Sequence, residues 1–332
     1  MSHPREALFE AGRRLPVLPA CDHYAGTERR MQKALQLQAR AGGRFDVTLD
    51  LEDGAPTGFE ADHARRVVEL LNSELNPTGR GAGRVGVRVH DPEHDSFAAD
   101  VDSVVRGAGR RLAYLTIPKV GSARQAATAI NAVQSACAAA GRSGELPLHL
   151  LIETHGALRD VERIAALPWL ASLEFGLMDF ISAHHGAIPE SAMRSPGQFE
   201  HALVRRAKTL IASAALAQGL VPSHNVSVDV DDPASAGADA ARARREFGFL
   251  RMWSIHPGQI EPILDAFAPA PDAVTLAAEV LLAGAAADWA PIRHAGRLHD
   301  RASFRYCWHV LERAHLDGGA LPDEARDAFF AG

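Results

Sequence analysis

Residues 147–176 read PLHLLIETHGALRDVERIAALPWLASLEFG and contain the repeating unit of the predicted fold. An aliphatic run at 147–152 predicts a strand, the helical spacing of apolar residues at 156–166 predicts a helix, and a second aliphatic run at 171–176 predicts another strand. A strand, a helix and a strand in this order are typical of a parallel sheet whose strands are joined by helices.

The same alternation predicts eight strand–helix units between residues 15 and 265. The predicted strands are 15–21, 46–51, 84–89, 113–117, 147–152, 171–176, 219–223 and 249–255. The predicted helices are 28–41, 59–75, 96–106, 122–140, 156–166, 198–218 and 233–247, with a shorter one after the eighth strand. Eight units match an α/β fold of the (β/α)8 TIM-barrel type, whereas a doubly wound sheet more often has fewer strands and a glycine-rich first turn.

The chain beyond the eighth unit is too short to form a second hydrophobic core of its own. A Pro- and Ala-rich hinge at 266–272 precedes predicted helices at 273–287 and 302–314, with a loop at 291–296 between them. We therefore expect a TIM-barrel domain at 1–265 and a C-terminal helical extension at 266–332 that packs on its own or on a neighbouring subunit.

The composition, with 47% hydrophobic and 23% charged residues among 332, is typical of a globular protein. A formal net charge of -6 argues against nucleic-acid and membrane partners, because both need clustered positive charge. Three well-separated cysteines offer neither a disulfide framework nor a zinc knuckle. Residues 1–16 lack the apolar run of a signal peptide, and the most apolar segment, 276–287, is too short to span a membrane. We expect a cytoplasmic protein with small-molecule partners.

Polar side chains stand at the ends of the predicted strands, where the active sites of TIM barrels lie. Packing of aliphatic strands does not by itself require such ends. The polar strand ends are Asp50, Glu52 and Asp53 after strand two, Arg88 and His90 after strand three, Lys119 after strand four, Glu153 after strand five, Asp179 after strand six and His256 after strand eight.

Glu153 and Asp179 follow consecutive strands, so their carboxylates are expected to face one point. Two carboxylates suit Mg²⁺, which keeps its other positions for water and substrate oxygens, whereas zinc would also want His or Cys. The alternative is that a carboxylate caps the next helix, which Asp179 could do for residues 180–185. We predict a Mg²⁺ site.

Arg88 ends an otherwise apolar strand, where an unpaired guanidinium would be costly. Its planar fork suits a substrate carboxylate. A structural ion pair with Glu52 or Asp53 is the alternative, and both can hold in one enzyme.

Lys119 and His256 are candidate substrate-binding residues. A desolvated strand-end lysine can form a Schiff base with a carbonyl, but hydrogen bonding to Glu153 or Asp50 is the commoner arrangement. His256 stands at the end of a clear strand, and the alternative is that it only precedes a helix that begins at Pro257.

Six ordered motifs resemble the citrate lyase β-subunit-like proteins of the HpcH/HpaI aldolase superfamily. The similarity runs from about residue 45 to 305. The motifs are Leu49-Asp50-Leu51-Glu52-Asp53-Gly54-Ala55, Val87-Arg88-Val89-His90, Ile117-Pro118-Lys119-Val120, Leu151-Ile152-Glu153-Thr154, Phe175-Gly176-Leu177-Met178-Asp179 and Trp253-Ser254-Ile255-His256-Pro257-Gly258-Gln259-Ile260.

The resemblance implies a Mg²⁺-dependent TIM-barrel lyase that makes or cleaves a carbon–carbon bond beside a carboxylate, keto acid or acyl thioester, as a homotrimer or hexamer. It implies that Glu153 and Asp179 hold Mg²⁺ and that Arg88 binds the substrate carboxylate or carbonyl. Glu52 and Asp53 would orient water and substrate.

The segment Gly296-Arg297-Leu298-His299-Asp300-Arg301 resembles one from which related malyl-coenzyme A lyases supply an aspartate to a neighbouring subunit. Asp300 is therefore a candidate catalytic acid/base. Two segments depart from the family pattern. Leu18-Pro19-Ala20-Cys21-Asp22-His23-Tyr24 lacks the usual Val-Pro-Gly and its basic residue, and His155-Gly156-Ala157 lacks the usual arginine. Binding of coenzyme A is accordingly left open.

Two other functions fit the same residues. One is hydrolysis of an acyl-coenzyme A thioester, which a metal and Asp300 could support by activating water. The other is a non-catalytic barrel that binds an acyl carrier protein. The joint presence of Glu52, Arg88, Glu153, Asp179 and Asp300 favours an enzyme.

Overall fold

The computed structural model describes residues 2–9, 15–55, 57–79 and 82–331. Part of the N-terminal stretch considered above, 10–14, lies outside these residues. Eight parallel strands form a closed barrel, which confirms the predicted TIM-barrel fold. The strands are β1 Cys21–Ala25, β2 Asp46–Asp50, β3 Val85–Arg88, β4 Tyr114–Ile117, β5 Leu148–Ile152, β6 Leu170–Phe175, β7 Val221–His224 and β8 Arg251–Ser254.

Helices alternate with the strands. They are α2 Glu28–Arg40, α3 Glu60–Asn72, α4 Phe97–Ala108, α5 Ala123–Ala139, α6 His155–Arg159, α7 Val161–Ala165, α8 Leu177–Ser182, α9 Gly197–Glu200, α10 Ala202–Ala217, α11 Pro233–Arg242 and α12 Ile260–Phe267. Short 3₁₀ turns occur at Gly109–Arg111, Glu190–Met193 and Pro257–Gln259, and a π-helical turn at Ala243–Phe247. Amphipathic helices such as α3, which buries Val67 and Leu71, cover the apolar outer side of the strands.

The first strand lies later in the chain than predicted. We expected it at 15–21, but β1 begins at Cys21 and carries Asp22 and His23 into the barrel wall. The sequence obscures this strand because both residues are polar. They are accommodated because Asp22 pairs with Arg251 and the His23 ring hydrogen bonds to Ser254 at 2.7 Å.

Strand register brings side chains of neighbouring strands together inside the barrel. Asp22 of β1 is the register partner of Asp46 in β2, and Asp50 at the end of β2 is the partner of Arg88 in β3. Because side chains alternate between the two faces of a strand, Asp46 and Asp50 point the same way. The barrel interior is therefore charged at two levels, one within the strands and one at their carboxyl ends.

The chain divides into two compact units, Leu15–Phe267 and Met1–Arg14 with Ala268–Gly332. The sequence analysis placed the boundary at 265/266 and assigned the N-terminal residues to the barrel. In the structure Leu8 is buried in the core of the second unit, and Arg5 pairs with Glu312 at 2.5 Å. These contacts explain why the described residues 2–9 belong with the extension.

The second unit contains four helices and a hairpin in its described part. They are α1 Pro4–Ala7, α13 Pro271–Ala286, β9 Ile292–His294, β10 Arg297–His299, α14 Arg301–Leu316 and α15 Asp323–Phe329. The hairpin replaces the predicted loop at 291–296, and its turn places Ala295 and Gly296 at positive φ. In the described ranges no single helix is long and apolar enough to cross a membrane; Pro257–Phe267 and Pro271–Ala286 satisfy those criteria only when taken together.

Candidate active site

Arg88 is held by two acidic side chains at the carboxyl end of the barrel. Its Nε and Nη2 donate to the two Asp50 oxygens at 2.7 and 2.6 Å, and Nη1 lies 3.0 Å from Glu52 Oε2. Burial works against the charge, but Asp50 and then Glu52 outweigh it and hold the pKa of Arg88 well above its usual range. The expected pairing with Glu52 is present. Asp50, which the sequence analysis did not consider as a partner, is the main one.

The loop after β2 is fixed around the Asp50 carboxylate. Its oxygens also accept from the backbone N–H groups of Glu52 at 3.0 Å and Gly54 at 2.8 Å. A Cβ at Gly54 would overlap Asp50, and one at Gly26 would overlap the Gly54 carbonyl. The two glycines therefore allow the close backbone approach that positions Glu52.

Lys119 joins three carboxylates across the mouth of the barrel. Its Nζ contacts Glu52, lies 2.9 Å from both Asp53 oxygens and is 4.0 Å from Asp179 Oδ1. Burial would lower the pKa of Lys119, but the hydrogen bonds to Asp53 and Glu52 outweigh it and raise the pKa. The ammonium group therefore stays protonated, which argues against the Schiff-base interpretation.

Glu153 follows β5 directly and is buried beneath this group. Its Oε1 accepts from the Lys119 backbone N–H at 2.7 Å, so the predicted Lys119–Glu153 hydrogen bond is made by the main chain. Burial, with the nearby Asp179 carboxylate, raises the pKa of Glu153 to about 8. A Cβ at Gly176 would overlap the Glu153 carboxylate, which explains the glycine at the end of β6.

Asp179 lies in the first turn of α8 and is partly exposed. The N-cap of α8 is Gly176, and no side chain caps that end, so the proposed alternative of Asp179 as a helix cap is not seen. Glu153 and Asp179 offer only oxygen donors, and a buried carboxylate with a raised pKa is one that a cation would stabilise. This donor set fits Mg²⁺.

His256 and Asp300 cap helices. His256 directly precedes the 3₁₀ turn at Pro257–Gln259, as the alternative for this residue expected, and its exposed ring accepts from the Gly258 N–H at 3.2 Å. Asp300, in the other compact unit, caps α14 by accepting from Ala302 and Ser303 at 3.0 and 3.2 Å. A substrate role for His256 and an acid/base role for Asp300 stay predictions.

A second group of charged residues, which we call the interior cluster, was not predicted from the sequence. Its members lie within the strands and are fully buried: Asp22, Asp46, His149, Glu174 and Arg251. Burial raises the pKa of Glu174 to about 7, while burial and then Arg251 lower the pKa of His149 well below its usual range. Polar residues inside otherwise aliphatic strands were the available signal.

A basic cavity lies at the start of α2, near the carboxyl end of β1. It has a volume of about 450 Å³ and is lined by Thr27, Arg29, Arg30 and Lys33. The sequence analysis looked for a basic residue at 18–24 and did not consider these positions.

Comparisons with known proteins find similar sequences and similar structures. A family model described as HpcH/HpaI aldolase/citrate lyase matches residues 32–257. The chain is 52% identical to a citrate lyase from Burkholderia xenovorans LB400 of known structure, with a TM-score of 0.85 and 99% of each chain covered. It is 29% identical to an L-malyl-CoA/β-methylmalyl-CoA lyase from Cereibacter sphaeroides, over 81% of this chain and 87% of that protein.

CitE from Mycobacterium tuberculosis, solved with magnesium, acetoacetate and coenzyme A, shares the fold at 21% identity and a TM-score of 0.67. That match covers 90% of this chain and 99% of that one. The carbon–carbon lyase class expected from the motifs is confirmed by the matching family model and the relatives. This chain therefore belongs to the HpcH/HpaI aldolase/citrate lyase family.

Proposed function

We propose that this chain is a Mg²⁺-dependent lyase that cleaves or forms the carbon–carbon bond beside the carboxylate of a malyl-type acyl thioester. The observation that carries the proposal is the buried Glu153 carboxylate next to Asp179, at the end of the barrel where Arg88 and Lys119 also meet. Glu153 and Asp179 would hold the ion. When bound, Mg²⁺ supplies the positive charge that stabilises an enolate.

Arg88 retains donors for a substrate. An arginine has five N–H groups; two of those of Arg88 donate to Asp50, and Nη1 lies 3.0 Å from Glu52. The N–H groups that do not donate to Asp50 can bind a substrate carboxylate. The three short contacts also fix the plane of the guanidinium, so little conformational entropy is lost when the anion binds.

Glu52, Asp53 and Lys119 form the polar wall of the proposed site. The protonated Lys119 holds both carboxylates in place and keeps a cation at the mouth of the barrel. Glu52 and Asp53 are then positioned to orient the substrate and the water around it. Lys119 and His256 are the proposed additional substrate contacts.

Coenzyme A is the proposed carrier of the acyl group. The basic cavity lined by Arg29, Arg30 and Lys33 suits its phosphates, and a curated relative acts on malyl-CoA by name. We further propose a cytoplasmic homo-oligomer, trimer or hexamer, whose C-terminal extension packs on its own or a neighbouring subunit. In it Asp300 serves as the acid/base of a neighbouring site.

The direct test is incubation of the purified chain with L-malyl-CoA, with and without Mg²⁺. We expect acetyl-CoA and glyoxylate in equal amounts, only when Mg²⁺ is present. Malate and free coenzyme A would instead show the thioester hydrolase. If no product forms either with or without Mg²⁺, the non-catalytic barrel that binds an acyl carrier protein is favoured.

A further inference from the structure

The interior cluster has more buried negative charge than its cations balance. Three carboxylates, from Asp22, Asp46 and Glu174, are fully buried beside one fully buried guanidinium. Arg251 pairs with Asp22 at 2.5 Å and with Asp46 at 2.8 Å, and the partly exposed Arg84 reaches Asp46 at 3.4 Å. Among the described residues no lysine or arginine pairs with Glu174, whose Oε2 accepts a hydrogen bond from the Tyr24 hydroxyl at 3.2 Å. A buried carboxylate without a paired cation is costly in its charged form, and a bound cation would offset that cost.

Several polar atoms around this charge lack hydrogen-bond partners in the part of the chain that the structure describes. They are Glu174 Oε1, both ring nitrogens of His149 and the hydroxyls of Thr116 and Ser223, whereas Asp22 Oδ2 lies 2.5 Å from Arg251 Nη2. Buried polar atoms are rarely left unpaired, and such a group often surrounds an ion or water that satisfies it. The unpaired atoms therefore point to an included species.

Three of the residues have the geometry of metal ligands. One ligand atom from each of Asp22, His149 and Glu174 lies within 4.8 Å of the others, and His149 Nδ1 is 3.2 Å from Glu174 Oε1. We propose that Asp22, His149 and Glu174 bind a divalent transition-metal ion, with Zn²⁺ as the best-suited probe. Mixed imidazole and carboxylate donors favour such ions over Mg²⁺, which prefers oxygen alone.

Three side chains lie between the proposed site and the carboxyl end of the barrel, and one of them, Tyr24, donates its hydroxyl to Glu174 at 3.2 Å. Tyr24, Leu151 and Trp253 form a packed group, in which Tyr24 stacks on Trp253 at 4.5 Å. Each lies two residues beyond Asp22, His149 or Arg251 on the same strand, and therefore on the same inward face. The ion would be taken up as the barrel folds and would exchange slowly. Its role is structural, independent of the proposed lyase activity.

The first test measures metal retained through dialysis. Wild-type protein is unfolded, refolded with Zn²⁺ and dialysed against EDTA. The Zn²⁺ that remains bound is then measured by inductively coupled plasma mass spectrometry. We expect about one Zn²⁺ per chain in the wild type and in Glu153→Gln, the matched variant at the barrel end, and none in Glu174→Gln. Refolded wild-type protein that holds no Zn²⁺ would overturn the proposal.

A second test needs no variant and so does not depend on whether Glu174→Gln folds. Crystals of Zn²⁺-loaded wild-type protein are measured above and below the zinc absorption edge. An anomalous peak between His149 and Glu174 is expected. Ordered water without an anomalous signal in that position would show that solvent alone satisfies the unpaired atoms, and the metal site would be wrong.

Discussion

Two charged groups lie inside the same barrel and differ in their position along the strands. The first, which we call the rim site, consists of Glu52, Arg88, Lys119, Glu153 and Asp179, and these residues end strands or follow them. The interior cluster lies within the strands and has no exposed side chain. At the rim, Asp179 is 44% and Lys119 28% exposed, so a ligand can reach them. Access, more than charge, distinguishes the proposed chemical site from the proposed structural one.

Glu153→Gln should have the largest effect on activity. The substitution keeps the shape but removes the carboxylate proposed to hold the ion, and loss of such transition-state stabilisation costs on the order of 10³-fold in kcat. The thermal midpoint should not fall, because a buried carboxylate is removed. Steady-state rates at saturating Mg²⁺ test this, with the exposed Glu162→Gln as control. Activity within tenfold of wild type would place the chemistry elsewhere.

Arg251→Met should have the largest effect on stability. It removes the guanidinium that pairs with both Asp22 and Asp46 and leaves Asp46 only the more distant Arg84, and breaking such a buried pair typically costs about 3–5 kcal/mol. Urea unfolding measures the loss, and the exposed Arg206→Met is the matched control. The rate per folded molecule should be unchanged. If Arg251→Met had normal stability but low activity, the interior cluster would have a role in activity, and its proposed difference from the rim site would be wrong.

Gly176→Ala should weaken the rim site without a change of charge. The added Cβ overlaps the Glu153 carboxylate, and an overpacking cost of about 1–2 kcal/mol corresponds to roughly a tenfold higher Mg²⁺ requirement. Titration of activity with Mg²⁺ measures this, and Gly121→Ala, whose Cβ meets only the Gln125 side chain, is the control. An unchanged Mg²⁺ requirement would argue that Glu153 does not hold the ion.

His256 should show the smallest effect. His256→Ala removes a helix cap, at a cost of about 1 kcal/mol, while His256→Asn keeps a good capping residue. If His256 also contacts substrate, KM should rise in both variants. A stability loss in the alanine variant alone, with KM unchanged in both, would reduce the role of His256 to that of a cap.

The sequence predicted the rim site better than the interior cluster for a physical reason. A carboxylate or guanidinium that follows an aliphatic run, such as Glu153 or Arg88, stands out locally. The partners inside the barrel are distant in sequence: Asp22 and Arg251 stabilise each other only after β1 and β8 close the barrel. No local pattern contains that information. For the same reason the first strand was predicted at 15–21, before the polar residues that β1 contains.

In the second unit, too, local sequence pattern predicted some elements and not others. The spacing of apolar residues predicted α13 and α14 to within two residues at each end. The hairpin at Ile292–His294 and Arg297–His299 was read as a loop because its strands are short and largely exposed. The packing of residues 2–9 with this unit depends on contacts such as Arg5 with Glu312, which sequence periodicity does not report.

Calorimetric titration of glyoxylate into the purified wild-type chain, with and without Mg²⁺, tests the central claim most directly. If the rim site is the metal-dependent chemical site, glyoxylate should bind only when Mg²⁺ is present, and Glu174→Gln should not abolish this binding. Equal binding without Mg²⁺, or no binding under either condition, would contradict the account.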